Sequence, residues 1–163
     1  MKKIAIKYGL FMWAGFTALF LIMHLLGLSQ NANLRLVNGI VHIGFLYLAI
    51  KAYRQEHRES VRNYLSGIAI GMYSSAIGTI AFAAFMFIFF LANPGFLDAV
   101  QGGFFLEKYL TPFTGTIIIV AEGLAVSLIM SYIVTRIVDS RMEPKVESNS
   151  QHLHYKVESQ SSV

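Results

Sequence analysis

At 163 residues, with 55% hydrophobic and only 13% charged side chains, the chain holds too little polar material to clothe a soluble globule of its size, so lipid must be part of its solvent. Its formal charge of +4 does not point to nucleic acid, because the cations sit beside apolar runs and form no basic face on a soluble domain. With no cysteine, disulfides, thiolate metal sites, iron–sulfur ligation, a thiol nucleophile and a lipoprotein anchor are excluded.

Lipid offers no partner to exposed backbone groups, so crossing a hydrocarbon core of about 30 Å takes a helix of about 20 apolar residues. Four segments qualify: 8–28, 34–53, 64–92 and 112–135. They predict an all-α membrane protein, a four-transmembrane-helix bundle over residues 1–139, with a tail over 140–163. The first segment follows Met1-Lys2-Lys3, as a secretory signal would. Its apolar run is longer than the usual signal core and no small-residue cleavage site follows, so it is read as a retained span. The second is the most polar, carrying Asn38 and His42.

The third segment is longer than a crossing needs and stops at Asn93-Pro94-Gly95. In the connection 93–111, Leu97, Val100 and Phe104 recur at helical spacing, which predicts a short amphipathic helix on the outer leaflet; docking of a partner there is the alternative. The fourth segment opens at Thr111-Pro112, a cap residue followed by proline at the first helical position. From about Ser140 the chain is rich in Ser, Glu, Gln and His without apolar periodicity, and a disordered tail is expected. Lys-Val-Glu-Ser occurs there twice, at 145–148 and 156–159, and His152 and His154 read as solvated histidines rather than metal ligands.

Eleven of the thirteen Lys and Arg residues lie before the first segment, around the second connection or after the fourth; only Arg35 and Lys108 fall in the other connections. The positive-inside rule then places both termini, and the connection 54–63, on the cytoplasmic side.

Within lipid, helices meet through close packing, so small residues mark contact faces. Gly67, Gly71, Ser75, Thr79 and Ala83 recur every fourth residue and predict a ridge against a neighbouring helix. Glu122 is the only acidic residue in the apolar run 113–134, and an intramembrane carboxylate is where chemistry is first sought. By helical rise, His42 lies about 12 Å and Glu122 about 14 Å below the same face, with His24 at about 6 Å. Arg35, Asn38 and His42 share one stripe of the second helix. These five residues are expected to converge on one polar cluster, with Glu122 bonded to His42 or to the hydroxyl of Ser75 or Thr79.

A haem held between His24 and His42 is disfavoured by their different depths. There is no phosphate-cradling Gly-rich loop with Lys, no H-E-x-x-H and no G-x-S-x-G, so no enzyme, cofactor or metal site is expected.

The opening run Met1-Lys2-Lys3-Ile4-Ala5-Ile6-Lys7-Tyr8-Gly9-Leu10, Ala49-Ile50-Lys51-Ala52-Tyr53-Arg54, Asn93-Pro94-Gly95-Phe96, and Glu122-Gly123-Leu124 with Ser127-Leu128-Ile129 resemble a bacterial family of uncharacterised four-span proteins, domain of unknown function family 4199. The likeness covers roughly residues 1–140. It implies an inner-membrane helical bundle and supplies no catalytic residues. The expected function is a scaffold, assembly factor or accessory subunit whose partners are the bilayer and another membrane protein or further copies of itself. The alternative is a small proton- or ion-coupled transporter using Glu122 with His42.

Overall fold

The computed structural model of the chain describes residues 1–28, 33–58, 63–101 and 110–161, without the side chains of 33–36, 98–101 and 143–161. Five helices follow in order: α1 (Lys2–Leu25), α2 (Asn33–Glu56), α3 (Tyr64–Ala92), α4 (Pro94–Gln101) and α5 (Pro112–Ser161). The protein is all-helical, with no strand among the described residues.

Local chemistry sets the helix ends. α1 closes where Gly27 enters the left-handed region at φ 70°, with Gly27 N–H donating to the His24 carbonyl and Leu28 N–H to that of Met23. That double bond satisfies carbonyls the helix leaves open, and glycine takes the positive φ without a Cβ penalty. α3 starts on Asn63, whose side chain accepts from Ser66 N–H, while Ser66 Oγ donates to the Asn63 carbonyl at 2.7 Å. α5 begins with a reciprocal box: Thr114 N–H donates to Thr111 Oγ1 at 3.1 Å and Thr111 N–H to Thr114 Oγ1 at 2.8 Å. Pro112 at the first helical position loses no intrahelical bond. Thr111→Ala should therefore cost about 1 kcal/mol, read as a lower thermal midpoint in detergent, whereas Thr111→Ser should be close to neutral.

α3 is central. It lies between α1 and α5, and α2 packs against all three. Gly9 and Gly78 let α1 and α3 approach: a Cβ on Gly9 would stand 2.8 Å from the Ser74 carbonyl, and one on Gly78 3.0 Å from that of Gly9. Two apolar clusters fill the bundle. One, at the end where α1 begins, contains Ile4, Ala5, Ile50, Tyr53, Ile70, Val134 and Val138. The other, at the opposite end, is built on Met12, Phe16, Phe20, Leu46, Phe82, Met86 and Phe90, and α4 joins it through Leu97 and Phe96. The expected amphipathic element after the third span is thus a helix at 94–101; residues 102–109, with Phe104 and Lys108, lie outside the described residues.

Among the described residues, three helices are long and apolar enough to cross a membrane: Lys2–Leu25, Tyr64–Ala92 and Pro112–Met142. The fourth expected span, α2, is not among them. Its composition is diluted by Asn38, His42, Lys51 and Arg54, and two of these, His42 and Arg54, are turned into the bundle. Around the bundle, Leu10, Ile22, Ile40, Ile80, Ile88, Leu128 and Ile129 are exposed. That much apolar surface marks a membrane-embedded protein rather than a water-solvated one.

The backbone of α5 is helical to Ser161, so it extends into the polar segment that begins at Ser140. Extending a helix that is already nucleated and anchored needs no new nucleus, and Pro144 within the extension gives up one intrahelical N–H bond.

Candidate functional site

Two stripes of small and hydroxyl residues face each other along α3 and α5. On α3 they are Gly67, Gly71, Ser75 and Thr79; on α5, read in the opposite direction, Thr135, Ser131, Ser127 and Gly123. Steps of four residues on both antiparallel helices keep the register. A Cβ on Gly67 would meet Thr135 Cγ2 at 2.5 Å, one on Gly71 would meet Ser131 Oγ at 2.5 Å, and one on Gly123 would meet Thr79 Cγ2 at 2.5 Å. Ser75 and Ser127 are hydrogen-bonded through their hydroxyls. Ala83 is buried one step further along α3. Close backbone approach and hydroxyl bonding are what hold helices together where burial from water gives nothing.

α2 closes over this seam and inserts two polar side chains. At mid-length, buried His42 brings Nε2 to Ser75 Oγ and, at 3.1 Å, to Ser127 Oγ; Phe16 meets the ring edge-on at 5.5 Å. Ser127 Oγ donates to the Gly123 carbonyl. With Ser127 donating to the carbonyl, the contacts are served when Ser75 donates to Ser127 and His42 Nε2–H is shared between the two hydroxyl oxygens. The cluster ties three helices together.

At the end of the seam, Arg54 is fully buried. Its Nε donates to Asp139 Oδ1 at 2.8 Å and its Nη2 to Oδ2 at 2.9 Å, a fork-to-fork pair between α2 and α5. Nη1 donates to Ser66 Oγ at 2.9 Å and Nη2 to the Asn63 carbonyl at 3.2 Å, which brings in the start of α3. Asp139 continues the α5 stripe, four residues after Thr135. Neither residue was singled out from sequence as a site, since Arg54 counted only as a flanking cation. The usable signal was the run Gly123, Ser127, Ser131, Thr135, Asp139 at intervals of four, the counterpart of the ridge on α3.

The expected five-residue polar cluster is not assembled. Glu122 is exposed on the outer face of α5. At 100° per residue it lies about 140° around the helix from Ser127, the α5 residue that meets His42. Among the described residues it has no hydrogen-bond or ion-pair partner, neither His42 nor the hydroxyls of Ser75 and Thr79. His24 sits among aromatic rings, 5.0 Å from Phe89 and 5.8 Å from Phe96, and the ring contacts leading from it towards His42 pass through Phe20, Phe82 and Phe16. Asn38 is half-buried and its Oδ1 has no partner among the described residues. The side chain of Arg35 lies outside them. Among the described residues, no three His, Asp or Glu side chains form a group that could hold a metal ion.

Fold and site together define a membrane-embedded helical bundle with a polar seam closed on itself. No family model, curated protein or solved structure matches the chain.

Proposed function

We propose that the chain is a four-span subunit of a bacterial inner membrane, with both termini in the cytoplasm, that acts without catalysis as a scaffold, assembly factor or accessory subunit. The observation that carries this reading is Glu122. It stands about 15 Å in from Pro112, half the depth of a core of about 30 Å, and faces outward beside the exposed Ala121 and Ala125. A carboxyl group held against acyl chains at that depth is costly, and two flanking alanines let another helix come close enough to bond it. The outer face of α5 is therefore the contact surface for a second membrane-embedded helix, from another chain or another copy.

Support for the fourth span comes from the way α2 is turned. Its exposed residues at mid-length, Ile40, Gly44 and Leu48, carry no charge, while His42 and Arg54 point inward. The basic residues Lys2, Lys3, Lys7, Lys51, Arg54, Arg58, Arg136 and Arg141 gather at the bundle end where α1 begins, which favours that end as cytoplasmic. A transporter built on Glu122 and His42 finds no support, because Glu122 faces outward from α5 whereas His42 is buried against the seam.

The absence of native cysteine makes the test direct. Single cysteines at Ala121 or Ala125 should cross-link in membranes to another chain or a second copy, and Glu122→Leu should abolish that cross-link and the matching complex in mild detergent. Because Glu122 has no hydrogen-bond or ion-pair partner among the described residues, the unfolding midpoint should not fall. A chain that is monomeric and uncross-linked in native membranes ends this reading.

A further inference from the structure

We propose that the groove between α2 and α5, at the bundle end that holds the Arg54–Asp139 pair, binds a phosphate-ester anion, the headgroup of an anionic phospholipid or a free phosphate. The groove has a volume of about 250 Å³ and is lined by Tyr47, Lys51, Gln55 and Arg58 from α2 and the residues just after it, and by Val138, Arg141 and Met142 from α5.

Spacings of four and four put Tyr47, Lys51 and Gln55 on one side of α2, over a length of about 12 Å, with Arg58 just past its end. The lining changes character along the groove. Val138 is buried and Met142 half-buried, and Tyr47 offers a ring with a hydroxyl, whereas Lys51, Arg58 and Arg141 are exposed cations. Lys51 Nζ already lies 5.7 Å from the Tyr47 ring centroid, so its stem follows the groove rather than leaving it.

Charge accounting makes the groove distinctive. Two acids adjoin the α5 lining in sequence: Asp139, which is turned to the opposite side with both oxygens on Arg54, and Glu143, whose side chain lies outside the described residues. Among the described residues no carboxylate lines the groove, so three cations share it with two neutral polar groups, Gln55 and Tyr47. Phosphate suits such a set, since guanidinium groups grip its oxygens in pairs, lysine adds a point charge, and an amide or phenol donates to what remains. Towards the middle of the membrane the same two helices expose Leu48, Ile133 and Ile137, a surface on which acyl chains can lie. Basic pockets between spanning helices on the cytoplasmic side meet anionic headgroups in this way. The inference needs the helices to lie in a bilayer; it does not depend on what covers Glu122.

The test uses the full chain, purified in neutral detergent and examined by native mass spectrometry after addition of phosphatidylglycerol, phosphatidylcholine or inorganic phosphate. The expected result is one phosphatidylglycerol retained per chain, at least ten times more than phosphatidylcholine. The triple variant Lys51→Gln/Arg58→Gln/Arg141→Gln should lose that retention with an unchanged unfolding midpoint, and Lys51→Arg/Arg58→Lys/Arg141→Lys should keep it. Lipid retention that millimolar inorganic phosphate does not displace supports the headgroup as occupant. Saturable binding of inorganic phosphate that excludes the lipid and is lost in the Gln variant supports the free anion. Equal retention of both lipids with no phosphate binding, or equal retention by parent and Gln variant, overturns the site.

Discussion

Asp139→Asn should lower the stability of the chain by about 3–5 kcal/mol, one of the two largest losses expected from a single substitution. The amide keeps the size of the carboxylate and one acceptor but removes the charge opposite Arg54, which is fully buried and also donates to the neutral Ser66 hydroxyl and Asn63 carbonyl. A guanidinium deprived of that carboxylate either stays desolvated or drags the end of α2 outward. Denaturant unfolding in detergent reads the loss directly. Arg54→Leu/Asp139→Leu should recover most of it, because replacing both ions by apolar groups avoids the uncompensated charge. A loss below about 1 kcal/mol for Asp139→Asn would show that the pair does not hold α2 to α5.

The second large effect lies one helical turn into the seam. Gly67→Ala sets a methyl 2.5 Å from Thr135 Cγ2 and 2.7 Å from Arg54 Nη2. Thr135 is branched at Cβ and fully buried, so rotation moves one group away only by bringing another in. The helices must then separate, at a cost of about 1–3 kcal/mol for overpacking. Thr135→Ala in the same chain should relieve much of the clash, and such a rescue distinguishes a steric seam from a helix-propensity effect, since alanine is the better helix former. An unfolding midpoint that rises for Gly67→Ala alone would refute the close approach. Gly67→Ala and Asp139→Asn should not add, because both act on the Arg54 side chain.

How much of this is legible in the sequence depends on which contrast each feature offers. Gly67, Gly71, Ser75 and Thr79 stand out because small residues are conspicuous among Phe, Ile and Met, and their interval follows from helix geometry. Their partner is harder to read. In lipid both faces of a helix are apolar, so hydropathy does not say which side turns inward. The same ambiguity misplaces Glu122, whose charge suggests an interior position although the stripe that meets α3 begins at the next residue, Gly123. Arg54 is concealed differently. A cation near a helix end looks like an interfacial anchor, and its counter-ion stands 85 residues further along the chain. α2 falls short of an obvious span for the same reason, since polar groups satisfied by α3 and α5 count against it when it is read alone.

The separation of Arg54 from Asp139 also bears on biosynthesis. As the chain leaves the ribosome, the first hairpin is complete long before the carboxylate that neutralises its arginine has been made. Until the last apolar helix arrives, Arg54 on α2 lacks the Asp139 carboxylate and His42 has only the Ser75 hydroxyl of α3, without Ser127. The settled placement of α2 in the bundle is then a late event, conditional on its successors, so that assembly proceeds by retroactive capture rather than by stacking each helix in its order of translation.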